Sequence, residues 1–109
     1  MALLYTTWPD MRAAQAAART LVEDALAACC NIFPAGTSIY VWRDEIAQDT
    51  EHVMLVKTSD ANVAECRDRL LSLHPYETPC VLALRIDPNA SSPAFLSWIE
   101  SVGDAGAEM

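Results

Sequence analysis

Three side chains that could bind a metal lie close together near residue 77. His74, Glu77 and Cys80 are each separated by two residues, and they offer an imidazole nitrogen, a carboxylate and a thiol. This mixture suits copper or zinc, because both metals accept nitrogen and sulfur ligands. The spacing matches no established metal signature, and the prolines within it favour an extended chain. An alternative therefore stays open, in which His74 ends a helix and Cys80 packs as an ordinary strand residue.

Lys57 is the only lysine of the chain and marks a second candidate site. If the strands around it pair as a hairpin, we expect three aromatic side chains to flank it: Tyr40, Trp42 and Tyr76. A lysine among aromatic rings, with Glu77 close by, could bind a small anionic ligand in a cleft. A structural ion pair of Lys57 with Glu77 or Glu51 explains the same residues, and both interpretations stay open.

Charge and composition exclude several classes of function. Fifteen acidic residues against seven basic ones give a net charge of -8, so a broad phosphate-binding surface is not expected, and neither is nucleic acid as a partner. The aromatic residues are therefore interpreted as core and interface residues. No nucleophile triad, zinc-protease motif or phosphate-binding glycine loop is present, and the sequence predicts no enzyme activity.

The sequence also predicts a compartment. No apolar run approaches the roughly 20 residues that cross a bilayer, so we expect no membrane segment. Residues 1–8 lack the basic region and cleavage site of a secretory signal. The four cysteines, of which Cys29 and Cys30 are adjacent, include no Cys-x-x-Cys pair. We expect free thiols in a reducing, cytoplasmic environment.

Hydrophobic periodicity predicts an alternation of strands and helices along one domain of residues 1–109. Residues 44–50 are polar and are expected to form a turn, across which residues 39–42 and 53–56 pair as a hairpin. Ser59 or Asp60 is expected to cap the second helix, which ends at His74. The predicted elements are strands at 2–8, 30–43, 51–58 and 80–86, with helices at about 10–26, 60–73 and 93–99.

This order predicts an α+β fold, a ferredoxin-like βαββαβ sandwich with an extra C-terminal helix. Residues 103–109 are expected to form a flexible tail. Both long helices lie on one face of such a sheet, yet the strands are apolar on both sides. An uncovered apolar face and open strand edges are liabilities, and self-association would cover them.

Several short motifs resemble those of the CutA family, the divalent-cation tolerance proteins. The most specific are residues 74–79, His-Pro-Tyr-Glu-Thr-Pro, and residues 38–42, Ser-Ile-Tyr-Val-Trp. Further matches are residues 5–10, 26–29, 31–34, 56–58 and 95–98. The resemblance covers about residues 3–100. It implies a ferredoxin-like homotrimer closed by strand pairing between subunits, with the architecture of PII signalling proteins and a link to copper and other divalent metals.

The sequence departs from the family at some of these positions. Family members for which copper binding is proposed have a cysteine and two histidines where this chain has Thr6, Leu73 and His74. Only His74 matches. Cys80 stands where the family pattern has an acid, and Arg43-Asp44 replaces a Glu-Gly pair. A glycine turn is therefore lost, and we expect the connection there to differ.

Two functions follow from the resemblance. The first is a homotrimeric metal-response protein that binds copper or another divalent metal through His74, Cys80 and Glu77. The alternative is a PII-like signalling or scaffold trimer that binds a small ligand or a partner protein in clefts between subunits. The cleft and interface residues of either trimer are Tyr40, Trp42, Lys57, Pro75 and Tyr76.

Overall fold

The computed structural model describes residues 1–102, so the expectation of a flexible tail at 103–109 lies outside the described residues. Within them the chain runs through five strands and three helices. These are β1 (Ala2–Trp8), α1 (Met11–Glu23), β2 (Cys29–Ile32), β3 (Gly36–Trp42), β4 (Glu45–Thr58), α2 (Val63–Leu73), β5 (Val81–Arg85) and α3 (Pro93–Glu100). None of the helices in this part of the chain has the length and apolar character to cross a membrane.

The strands form one antiparallel sheet in the order β2-β4-β1-β5, and β3 pairs with the far half of β4. The first and last strands along the chain thus lie beside each other, with β4 on the other side of β1. This is the ferredoxin-like α+β arrangement that the sequence predicts. The helix α3 follows β5, as expected, and Ser92 caps it through the N–H of Phe95.

The core lies between one face of the sheet and the helices α1 and α2. Side chains along β1 alternate, so that Leu4, Thr6 and Trp8 are fully buried on this face. The buried alanines of α1 let the helix approach the sheet closely, and Asp10 caps it by accepting the N–H of Ala13 at 2.8 Å. The helix ends at Glu23, earlier than expected, because Ala25 takes a left-handed conformation with φ of 57°.

The second helix also begins later than the sequence indicates. The N-cap residue is Asn62, not Ser59 or Asp60 as expected. The Ser59 hydroxyl instead accepts a hydrogen bond from the N–H of Asn62 at 3.1 Å. Ser59 thus stabilises a turn before the helix. The helix does end at His74, whose extended backbone precedes Pro75.

The opposite face of the sheet, called here the open face, is apolar and only partly covered. It carries Leu3 and Tyr5 of β1 and, directly across from them, the exposed Leu84 and Leu82 of β5. The helix α3 approaches one end of it, where the ammonium of Lys57 lies 5.2 Å from the centre of the Phe95 ring.

The prediction for the hairpin was wrong in its register. Residues 44–50 do not form a turn: β4 begins at Glu45, and the turn is Arg43-Asp44, both with positive φ, 51° and 66°. Trp42 therefore pairs with Glu45, whereas residues 53–56 pair with β1 and β2. Two strands joined by a two-residue turn of this kind form a long ribbon, the hairpin of 36–51, which extends beyond the helices and contributes to a longest dimension of 48 Å.

The hairpin has two different faces. Pairing places Tyr40, Trp42, Asp49 and Glu51 on one side, the front, which is continuous with the open face of the sheet. The other side, the back, carries three apolar residues that nothing in the described chain covers: Ile39, Val41 and Ile46, exposed by 68%, 70% and 79%.

Candidate functional site

A cleft of about 660 Å³ lies between the front of the hairpin and residues 75–80, the segment that follows α2. Three aromatic residues, a thiol and the two carboxylates of the hairpin dominate its walls: Tyr40, Trp42, Tyr76, Cys80, Asp49 and Glu51. Thr7 of β1 contributes to the floor, and Pro75, Glu77 and Thr78 complete the side formed by the segment. The structure therefore brings together most of the predicted cleft residues within a single chain.

Strand alternation positions the hairpin side of the cleft. Tyr40 lies opposite Ala47, so its ring projects beside Asp49, and its hydroxyl donates a hydrogen bond to the Asp49 carboxylate. This bond, together with the negative charges of Asp49 and Glu51, raises the pKa of the Tyr40 phenol above its ordinary value. The phenol therefore stays protonated and keeps its donor role at neutral pH.

The segment side of the cleft experiences the same negative charge. Burial is the main cause that raises the pKa of the Tyr76 phenol, and the nearby Glu51 and Asp49 raise it further. Burial and the charge of Glu51 likewise raise the pKa of the Cys80 thiol. At neutral pH the phenols and the thiol of the cleft are thus neutral, and the acidic side chains of Asp49, Glu51 and Glu77 give it a negative character.

His74 fixes the segment to the sheet. Its Nε2 atom lies 2.7 Å from the carbonyl oxygen of Thr7, and its Nδ1 accepts the backbone N–H of Tyr76 at 3.1 Å. A carbonyl can only accept, and an N–H can only donate. The hydrogen-bond network therefore assigns the neutral ring with its proton on Nε2. The ring is buried and packs on Trp8, with 4.2 Å between centroids.

The predicted metal ligands His74, Glu77 and Cys80 are not assembled into a site. Within residues 1–102 no group of three or more His, Cys, Asp or Glu side chains is placed to bind a metal ion. Neither nitrogen of His74 has a free lone pair, since Nδ1 already accepts a hydrogen bond and Nε2 carries the proton. Thr6 and Leu73, at the other two family positions, offer no ligand of this kind. A copper site centred on His74 therefore does not fit the described chain.

Lys57 does not lie in the cleft, contrary to the sequence-based expectation. It pairs with Leu3 and Cys29 near the far end of β4, and its ammonium faces Phe95. The misplacement follows from the hairpin register, because the aromatic residues pair with positions 45–47 of β4. No basic side chain of residues 1–102 lines the cleft, so the described chain gives a small anionic ligand no positively charged partner there.

Asp49 and Glu51 are the cleft residues that the sequence analysis missed as a pair. Both fall in or beside the stretch that was interpreted as a turn. The available signal was their spacing: acidic residues at 45, 49 and 51 occupy one side of an extended strand, whereas Ile46 occupies the other.

The sheet order and the helices on one face of the sheet define a ferredoxin-like α+β protein. The family model described as "CutA1 divalent ion tolerance protein" matches residues 2–102. The chain therefore belongs to this divalent-cation tolerance family, as its motifs indicated. That description names a tolerance function rather than a reaction.

Two curated relatives illustrate the match. The chain is 40% identical to the divalent-cation tolerance protein CutA of Archaeoglobus fulgidus, over 89% of this chain and 92% of that protein. It is 37% identical to Protein CutA of Mus musculus, over 96% of this chain but only 60% of the mouse protein. The chain thus spans less than two thirds of the length of some relatives.

Two solved structures are similar over most of their length. The divalent cation tolerance protein of Thermus thermophilus superimposes with a TM-score of 0.87 at 37% identity, covering 94% of this chain and 98% of that one. A structure described as the PII-like protein CutA of Nostoc sp. PCC 7120 gives a TM-score of 0.86 at 30% identity, with coverage of 93% and 95%.

Proposed function

We propose that this chain forms a homotrimer and takes part in the response to divalent cations in a reducing cytoplasm. Membership of the divalent-cation tolerance family supports the biological role. The four cysteines, free in the structure, are compatible with a reducing compartment. The observation that carries the assembly is the apolar back of the hairpin.

The exposed apolar back of the hairpin favours association with another surface. Ile39, Val41 and Ile46 form a contiguous apolar strip on a ribbon that extends away from the core. Such a strip in water favours aggregation unless another surface covers it. The chain offers a complementary surface elsewhere, the open face around Leu82 and Leu84.

A contact between these two surfaces is head-to-tail, because it joins different parts of two copies. Head-to-tail contacts close into rings when the rotation allows it. A ring of three agrees with the architecture that the PII-like resemblance implies. The cleft lies on the front of the hairpin, the side opposite to the apolar strip.

Sedimentation of matched variants tests the assembly. Val41→Lys places a charge on the back, whereas Ser38→Lys places the same charge on the front, opposite Asp49. We expect the parent and Ser38→Lys to sediment as trimers, and Val41→Lys to shift toward the monomer at micromolar concentration. A monomeric parent would overturn the proposal, and so would a trimeric Val41→Lys.

A more specific version of this proposal is that the protein itself binds the metal ion. The donors that line the cleft are the Cys80 thiol and the carboxylates of Glu51 and Glu77, which do not converge on one point in the described chain and would have to move together to bind a metal. Calorimetry with Cu²⁺ or Zn²⁺ against a competing chelator tests this form. Cys80→Ser should weaken binding by about tenfold or more, as loss of a ligand requires, whereas His74→Gln should leave it unchanged. A parent that binds neither metal would contradict direct binding.

A PII-like ligand sensor is the second candidate function. The structural similarity to a PII-like protein and the presence of a formed cleft favour it. A sensor of this kind responds to a small molecule and is indifferent to Cu²⁺ and Zn²⁺. Thermal unfolding of the parent with each metal and with a panel of metabolites separates the two candidates, since only a bound ligand raises the melting temperature.

A further inference from the structure

We propose that the cleft binds a small organic cation, such as a guanidinium or a substituted ammonium, between its aromatic walls and its carboxylates. This inference rests on the ligand-sensing candidate and names the class of its ligand. It concerns the cleft of one chain, whose walls all come from residues 7–80 of that chain.

The aromatic side chains are the first argument. Tyr40, Trp42 and Tyr76 are large rings that remain 40%, 60% and 42% exposed while lining one cleft. The faces of such rings carry negative electrostatic potential and attract cations, most strongly for tryptophan. The Trp42 ring already has one cation near it, because the guanidinium carbon of Arg43 lies 5.6 Å from its centroid.

The carboxylates are the second argument. Asp49, Glu51 and Glu77 are the charged residues of the cleft, and no basic side chain in the described part of the lining neutralises them. Their effect reaches the neighbouring groups, since Glu51 and Asp49 both raise the pKa of Tyr76. A positive ligand gains from this charge, whereas an anionic one is repelled.

The spacing of the carboxylates distinguishes an organic cation from a metal ion. A divalent metal needs several donors converging within about 2–2.6 Å of one point. The acidic residues of the cleft do not converge in this way within residues 1–102. A planar or branched organic cation spreads its charge over several atoms, so separated carboxylates and ring faces can contact it together. A cleft of about 660 Å³ accommodates such a molecule.

Titration of the protein with defined probes tests the proposal. Agmatine carries a guanidinium and an amine, choline is a quaternary ammonium, and 3,3-dimethylbutanol is the neutral analogue of choline. We expect agmatine or choline to bind by calorimetry and to change the Trp42 fluorescence, which Trp42→Leu identifies by difference. The neutral alcohol and inorganic phosphate should not bind.

Matched charge variants locate the site. Glu51→Gln should weaken cation binding about tenfold, because it removes a charged partner from the cleft. Glu65→Gln removes the same charge from the exposed side of α2 and should leave binding unchanged. Equal losses in the two variants would reduce the effect to general attraction by an acidic protein and overturn the proposal. The proposal would also be overturned if neither cation bound, or if stoichiometric Zn²⁺ prevented the cations from binding.

Sedimentation of the same samples keeps this proposal separate from the proposed function. A monomeric parent that binds agmatine or choline in the cleft overturns the trimer and leaves the cation site intact. A trimeric parent that binds neither cation overturns the cation site and leaves the assembly intact.

Discussion

His74 connects two parts of the chain that are far apart in sequence. The ring links the end of β1, through the Thr7 carbonyl, to the segment that forms one wall of the cleft, through the Tyr76 N–H. The role of His74 in this motif is therefore to position the chain that follows it, because the bridge sets where Pro75, Tyr76 and Glu77 lie. The same residue type in the same motif suggested a metal ligand when only the sequence was considered.

Replacement of His74 should destabilise the fold. His74→Ala removes two hydrogen bonds and the packing on Trp8, and we expect the free energy of unfolding to fall by about 2–4 kcal/mol. Urea unfolding of the parent and variant measures the change. His52→Ala is the control, because the Nδ1 atom of that histidine is buried without a partner, so its loss should cost less. Equal costs would contradict the bridging role.

The bond between Tyr40 and Asp49 should be visible in an alkaline titration. Asp49→Asn removes the charge that favours the protonated phenol, so the pKa of Tyr40 should fall toward its ordinary value of about 10. Ultraviolet absorbance of the phenolate follows the titration, and Tyr40→Phe identifies the Tyr40 contribution by difference. Because the folded pKa is raised, the contribution of this group to stability is complete below about pH 10 and is lost as pH rises through the folded value. An unshifted titration in Asp49→Asn would contradict the assignment.

The cysteines should differ in reactivity. Burial raises the pKa of Cys30 to about 12 and that of Cys66 to about 11, with the neighbouring thiols adding to the effect at Cys30. At pH 8 both are almost entirely protonated, and alkylation of the native protein should be at least about 100-fold slower than in urea. Mass spectrometry of the alkylated peptides measures this. In Glu51→Gln, Cys80 alone should react faster than in the parent, since the charge that opposes its thiolate is gone.

All four cysteines should be titratable as free thiols after unfolding without reductant. A pair that resists alkylation under these conditions would show a disulfide and contradict the free-thiol prediction.

The two-residue turn of the hairpin adopts an unfavourable backbone conformation. Arg43 and Asp44 both adopt positive φ, which costs a residue with a Cβ about 1 kcal/mol relative to glycine. Two-residue turns of this kind favour Asn-Gly. The chain thus forms the tight turn without the residues that normally favour it.

Asp44→Gly should therefore stabilise the protein. Relief of the left-handed conformation is expected to add about 1 kcal/mol to the free energy of unfolding, less a small entropic cost of glycine in the unfolded chain. Chemical denaturation at fixed protein concentration measures it. Asp44→Ala removes the same carboxylate but keeps a Cβ, so it should give no such gain. An equal effect of both variants would point to the charge instead of the backbone.

The elements that bury a face were predictable from the sequence, and the hairpin was not. The strand β1 and the helix ending at His74 each leave an apolar signal in the sequence because they pack on the core. Residues 45–51 pack on no core, so their polar side chains were interpreted as a turn, which moved the start of β4 from 45 to 51. The faulty register then placed Lys57 among the aromatic residues of the cleft.

The site was predictable only in part for a related reason. Tyr40, Trp42, Pro75 and Tyr76 were identified through the motifs, and the structure brings them together. The state of His74 depends on two backbone groups, those of Thr7 and Tyr76, which no pattern of side chains reveals. Hydrogen bonds of this kind depend on the folded path of the chain.

At the scale of the whole molecule, the hairpin is separable from the folded core. None of residues 37–50 is buried, and the core lies between the helices and the rest of the sheet. A variant in which Asn-Gly joins Gly36 directly to Glu51, a pair already opposed in the sheet, should fold cooperatively and sediment as a monomer. Far-ultraviolet circular dichroism and sedimentation measure both properties. A variant that does not fold would show that the core needs the hairpin, and a trimeric one would place the subunit contact elsewhere.

The two-faced hairpin also limits how its length can vary among related sequences. Residues 52–58 of β4 pair with β1, whereas residues 45–51 pair with β3. The half of β4 that belongs to the main sheet and the half that belongs to the hairpin therefore meet between Glu51 and His52. A single residue inserted there would reverse the hairpin, turning its apolar strip toward Tyr76 and its carboxylates away. Two inserted residues would restore the original orientation. Insertions and deletions at this junction are therefore expected in even numbers, a parity that an alignment of related chains can count.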